Sequence, residues 1–99
     1  MVGKQWENLT SIFLKNNSIT NIDSLNNFEF LQVIDASNCH LESINLNLRF
    51  LKYIDISQNH LESFPNLYFS EELEHLNVSN NFLADIFVNT EDIAYFGSL

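Results

Sequence analysis

The sequence predicts an α/β repeat fold, a solenoid of short parallel strands stacked coil on coil. Three observations carry this: the chain repeats itself, each copy alternates as a strand does, and one polar residue keeps step with the apolar ones. The four copies are LTSIFLKNNSITNI from Leu9, LQVIDASNCHLESI from Leu31, LKYIDISQNHLESF from Leu51 and LEHLNVSNNFLADI from Leu73. Their starts lie 22, 20 and 22 residues apart. A period of 20–50 residues is the mark of a repeat array whose units bury their apolar faces against one another. One copy alone would be a weak signal; four in phase make a strong one.

Each copy is apolar at positions 1, 4, 6, 11 and 14. Positions 4 to 6 read as a short strand, with 4 and 6 inward and 5 outward. Position 9 holds Asn17, Cys39, Asn59 and Asn81, where the pattern points inward. An unpaired buried amide costs roughly 1–3 kcal/mol, so these side chains need partners. After the strand the chain turns sharply and leaves backbone N–H and C=O groups facing the interior. An Asn amide has both a donor and an acceptor and can satisfy such groups in its own coil and the next. The expectation is a ladder of buried amides, weakest at Cys39, where a small thiol with a weak donor fills the slot.

This pattern resembles the leucine-rich repeat family, whose signature is L-x-x-L-x-L-x-x-N/C-x-L. The match runs over residues 9–86, as repeats 9–30, 31–50, 51–72 and 73–86. The resemblance implies a right-handed solenoid, with a short parallel sheet on the concave face and mostly irregular or 3-10 turns on the convex face. The segment DSLNNFEF after Ile22 is similar to the short intracellular (Sds22-like) type. INLNLRF is too brief for a regular helix, and FPNLYFSEE looks like a longer-turn variety, so the repeat classes are mixed. Phe28, Phe50, Phe64, Phe69 and Phe87 are expected to fill the convex half of the core. A solenoid exposes its core wherever stacking stops. Residues 1–8 are therefore expected to form a partial coil with Trp6 over the open end. Residues 87–99 read as a capping segment of helical character, with Asn89 or Thr90 as N-cap and Glu91 and Asp92 in its first turn.

Composition narrows the function. The 99 residues carry thirteen acids against four bases, a formal net charge of −9. With no basic patch to neutralise phosphates, direct nucleic-acid or anionic-membrane binding is not expected, whereas a protein with a basic surface is a suitable partner. The one cysteine excludes an internal disulfide framework and suits a reducing compartment, so a cytoplasmic or nuclear location is expected. No apolar run reaches the ~20 residues of a membrane span. Gly3 and Gly97 are the only glycines, no phosphate-cradling loop exists, and no nucleophile–base–orienter set can be assembled, so neither enzyme nor cofactor is expected.

The outward strand positions form columns across the coils. Position 3 gives Ser11, Val33, Tyr53 and His75, and position 5 gives Phe13, Asp35, Asp55 and Asn77. Position 2 adds Thr10, Gln32, Lys52 and Glu74, and position 7 adds Lys15, Ser37, Ser57 and Ser79. At ~4.8 Å between coils, Phe13, Val33, Tyr53 and His75 make an apolar-to-aromatic strip beside adjacent carboxylates, the composition of an interface hot spot. Phe13, Val33, Asp35, Lys52, Tyr53, Asp55, Glu74, His75 and Asn77 are thus the candidate partner-binding residues. Asp35 and Asp55 as an acid/base pair lack a pocket that excludes water; two acids awaiting a partner's Lys or Arg fit better. The twice-used HLES brings His40, Glu42, His60 and Glu62 to one edge. That set is acceptable zinc chemistry, yet duplication of a surface motif explains it without a metal, and none is assigned.

The reading is a non-enzymatic protein–protein interaction scaffold that docks a partner on the concave strand face. The alternative is a fixed structural subunit of a large protein or ribonucleoprotein assembly, its surface buried by neighbours. A receptor ectodomain is disfavoured because such proteins usually carry cysteine-clustered caps.

Overall fold

The computed structural model describes residues 8–82. Its four strands are β1 (Ser11–Phe13), β2 (Val33–Asp35), β3 (Tyr53–Asp55) and β4 (His75–Asn77). They pair in parallel in the order β1-β2-β3-β4. The register is in phase throughout: Ser11 meets Val33, Tyr53 and His75 in turn, Ile12 meets Ile34, Ile54 and Leu76, and Phe13 meets Asp35, Asp55 and Asn77. The arrangement fits an α/β repeat fold. Each strand is only three residues long, but the ladder continues beyond it. Asn16, Asn38 and Gln58 donate their N–H to the carbonyls of Ser37, Ser57 and Ser79 in the following coil.

The inward residues form one core. Leu31, Ile34, Ala36, Leu51, Ile54 and Ile56 are fully buried, as are Leu41 and Leu61 beyond the turn. Burying one such Leu or Ile side chain contributes about 1.5–3 kcal/mol, and no single coil could enclose them. Entry to the last three strands is uniform: the N–H groups of Leu31, Leu51 and Leu73 donate to the carbonyls of Phe28, Leu48 and Ser70, three residues back. That tight turn is what brings the opening leucine of each of these coils under the sheet.

The turn after each strand needs one residue in the left-handed backbone region. Asn16, Asn38, Gln58 and Asn80 hold it, with φ of 66, 54, 56 and 58°. All four stand at position 8. Asn tolerates this conformation because its short polar side chain satisfies local backbone groups, whereas most residues lose about 1–2 kcal/mol there. The Asn-rich turns of this sequence follow from that requirement.

The far side of the core departs from expectation. Phe28 and Phe64 are half-buried against it, but Phe69 is 61% exposed. Phe30 and Phe50 stack on each other outside it, with centroids 5.8 Å apart. Aliphatic residues fill the space instead: Leu25, Ile44, Leu46, Leu48 and Leu67 are buried, together with Pro65. The cause lies in INLNLRF. Its Ile-Asn-Leu-Asn-Leu run alternates buried and exposed as a strand does. Asn45 forms a parallel bridge with Asn66, through Leu46 N–H to Asn66 O at 3.0 Å and Asn66 N–H to Ile44 O at 2.9 Å. In the first coil a five-residue 3-10 helix, Asp23–Asn27, lies on this side with Leu25 buried. The expected N-terminal partial coil with Trp6, the position of Phe87 and the C-terminal helix over 87–99 lie outside the described residues.

Candidate functional site

Every outward column is built from the same local chemistry. In β2, Asp35 Oδ1 accepts the Ser37 N–H at 3.1 Å and its hydroxyl at 2.8 Å. Asp55 does the same for Ser57 at 3.0 and 2.6 Å, and Asn77 for Ser79 at 3.0 and 2.8 Å. Each is a side-chain-closed turn that ends its strand. Ser37 and Ser57 are consequently buried rather than part of the outward surface. One carboxylate oxygen of Asp35 and of Asp55 is committed to the fold, so these residues are not simply two acids held open for a partner.

Around them lies an exposed strip. Phe13 is 70% exposed and Tyr53 38%. His75 is exposed and Val33 half-buried, with Lys52 and Glu74 exposed at the entry to their strands. The Tyr53 and His75 rings stand 5.9 Å apart across neighbouring strands. Ser11 and Val33 occupy the same column as those rings, and Phe13 stands beside Asp35 in the next. Backbone pairing on both sides of β2 and β3 fixes the spacing of these groups, so the strip is presented by a rigid surface.

Position 9 is a set of backward-reaching contacts. Asn59 is 2% exposed. Its Oδ1 accepts Cys39 N–H and Leu41 N–H, each at 2.9 Å. Its Nδ2 donates to Ala36 O at 3.0 Å in the preceding coil, and to Ile56 O at 2.9 Å and Ser57 O at 3.0 Å in its own. Asn81, half-buried, reaches back to Leu61 N–H at 3.0 Å and Ile56 O at 2.9 Å. Each amide therefore serves the previous coil, not the next, and the rungs run from side chain to backbone rather than from amide to amide. Asn17 is exposed and donates only within its own coil, to Leu14 O at 2.7 Å and Lys15 O at 3.3 Å.

At Cys39 the backbone supplies what the thiol lacks. Its Sγ donates to Leu14 O at 3.0 Å, replacing the amide's donor. The acceptor comes from the main chain: Ile19 N–H meets the Cys39 carbonyl at 2.8 Å, where Leu41 and Leu61 meet an Asn Oδ1. The Cys39–His40 peptide is turned for this, and His40 has φ 71°, unlike His60 or Phe82 at the same position.

The HLES edge brings the imidazoles together without the carboxylates. His40 and His60 lie edge to face at 5.1 Å, and His60 continues to Phe82 at 5.7 Å. Among the described residues no three His, Cys, Asp or Glu side chains converge as a metal site requires. Glu42 and Glu62 stay on the surface; a column of stacked rings forms here, not a ligand set. Nor does any helix among the described residues have the length and apolar character to cross a membrane.

A second polar array was not foreseen from the sequence. On the far side, Asn26 Nδ2 donates to Asn45 O at 3.1 Å while its Oδ1 accepts Asn47 N–H at 2.7 Å. The Asn26 amide thus stands in for a peptide group of a neighbouring strand. Asn66 Nδ2 donates to Asn45 Oδ1 at 3.0 Å, and Asp23 Oδ1 accepts Asn45 N–H at 3.1 Å. The alternation of Asn with Leu in INLNL was the available signal.

Residues 72–99 match the family model described as Leucine Rich Repeat. The match supports a leucine-rich repeat protein, and such repeats are generally non-enzymatic modules that bind proteins. No curated protein and no solved structure matches the chain.

Proposed function

We infer that this chain is a protein-docking scaffold that takes its partner on the outward face of the sheet. Phe13, Val33, Tyr53 and His75 provide the anchoring strip, with Asp35, Asp55, Lys52, Glu74 and Asn77 as its polar surround. The observation that carries the reading is the exposure of Phe13 and Tyr53 on strands whose register and turns are fixed by hydrogen bonds. Aromatic side chains held rigidly at a surface lose little conformational freedom when a partner covers them. The formal charge of −9 favours a partner with a basic surface and disfavours nucleic acid. The finer reading is a right-handed solenoid of mixed, mainly short intracellular-type repeats. Parallel strands joined by crossovers favour that hand, the strand face is its concave side, and the lone cysteine suits the cytoplasm or nucleus.

The test compares proteins captured by the wild-type chain and by a Tyr53→Ala, Asp55→Asn double variant. The Asn substitution preserves the turn to Ser57, as Asn77 does for Ser79, so a loss of binding reports the face and not the fold. Selective loss of one captured protein supports this site; retention of every partner by the variant moves the site elsewhere.

The exposure of Tyr68 (44%), Phe30 (41%) and Phe69 (61%) on the other side favours a second reading, a structural subunit covered by neighbours in a larger assembly. Light scattering on the purified chain separates the two. A stable monomer supports the free-standing scaffold, and self-association relieved by a partner supports the subunit.

A further inference from the structure

A cavity of about 510 Å³ opens on the side away from the docking strip, lined by Glu29, Asn47, Arg49, Phe69 and Glu71. Three of these residues share one place in the repeat. Glu29, Arg49 and Glu71 each stand two residues before the leucine that opens the following coil, Leu31, Leu51 and Leu73. Successive coils therefore present a carboxylate, a guanidinium and a carboxylate.

These charges do not satisfy one another. Among the described residues none of the three forms an ion pair; the Arg49 guanidinium instead lies over the Phe50 ring, 5.2 Å from its centroid. The exposed Phe69 ring lines the same cavity. The spacing is held on this side as well, by the Asn45–Asn66 bridge and by the Asn26 amide on residues 45 and 47. Neighbouring coils here are thus separated by about 4.8 Å, as in a β-ladder.

We propose that this cavity is a second docking site, whose occupant is a helix of a partner protein bearing basic, acidic and basic side chains at i, i+4 and i+7. The complement of minus–plus–minus is plus–minus–plus, and the helix supplies the required spacing. Seven residues of helix advance about 10.5 Å, against about 9.6 Å for two coil spacings. Flexible Glu and Arg side chains absorb that difference. Arginine at i and i+7 meets Glu29 and Glu71, where its planar fork matches a carboxylate and its face can stack on Phe69. The acid at i+4 meets Arg49. A helix with the opposite charge order, or a second copy of this chain with its own −9, meets like charge instead. The site is independent of the outward strip, so either can fail without the other.

The experiment uses the full chain and two capped, alanine-rich helical peptides: one with Arg, Glu and Arg at i, i+4 and i+7, the other with Glu, Arg and Glu. Titration calorimetry at low salt is expected to show the first binding roughly ten-fold or more tighter than the second. Glu29→Lys with Glu71→Lys is expected to reverse the preference, with circular dichroism showing that the variant is folded. Phe69→Ala is expected to weaken the first peptide with no change of charge, and Tyr53→Ala to leave it unaffected. Equal affinity for the two peptides, no binding of either, or loss with Tyr53→Ala but not with the double variant overturns the proposal.

Discussion

Asn59 and Cys39 occupy the same place in neighbouring coils, and the Asn59 Oδ1 accepts the Cys39 N–H at 2.9 Å. That one amide also holds Leu41 N–H and three carbonyls. Burial without these partners would be unfavourable, and together they join the turn of one coil to the turn before it.

The first prediction follows from this inequality of the amides. Asn59→Ala leaves two N–H groups and Ala36 O without their side-chain partner in a dry interior, and is expected to cost about 3–5 kcal/mol. Asn17→Ala removes two bonds at an exposed position within a single coil and is expected to cost under about 1 kcal/mol. Urea unfolding of the two variants measures the difference. Equal losses would show that the backward contacts to Cys39 and Leu41 do not stabilise the array.

Asp35 and Asp55 act in the fold through a single oxygen. Asn at either position keeps that acceptor, as Asn77 shows with the same two bonds to Ser79. Asp55→Asn is expected to change stability by less than about 0.5 kcal/mol, and Asp55→Ala to lose about 1–2 kcal/mol. Thermal melts of the pair decide this. A large loss with Asn would mean that the charge itself, not the acceptor, supports the turn.

Gln58 is the one residue at position 8 that is not Asn, yet it holds φ 56°. Gln58→Asn is expected to raise stability by about 0.5 kcal/mol, since Asn enters this backbone region more readily. Asn38→Val, placing a β-branched residue there, is expected to lower it by about 1–2 kcal/mol. Denaturation midpoints report both, and the signs matter more than the sizes.

The far side of the core rests on leucines, not on the phenylalanine first expected there. Leu46→Ala at a fully buried site is expected to cost about 2–5 kcal/mol, while Phe69→Ala, at a ring 61% exposed, is expected to stay within about 0.5 kcal/mol. The comparison needs only equilibrium unfolding. A costly Phe69→Ala would place that ring in the core after all.

What the sequence by itself determined is everything tied to its period. Leu31, Ile34, Leu51 and Ile54 recur at fixed steps, so their strands, their shared register and the outward columns of Phe13, Val33, Tyr53 and His75 can be read from spacing alone. The inward place of Asn59 was legible too, because a polar residue in step with apolar ones has to meet backbone groups. Only the tertiary structure decided the direction of its bonds, since which coil lies within reach of Oδ1 and Nδ2 depends on how the turn is wound. It also decided that Asp35 closes a turn onto Ser37, that Asn26 replaces a strand beside Asn45, and that Phe69 stays outside. The segments between the strands differ in length and composition from coil to coil. With no period to phase them, their packing follows from which side chains fit the space left beneath the sheet, and short leucines fitted it where a larger ring did not.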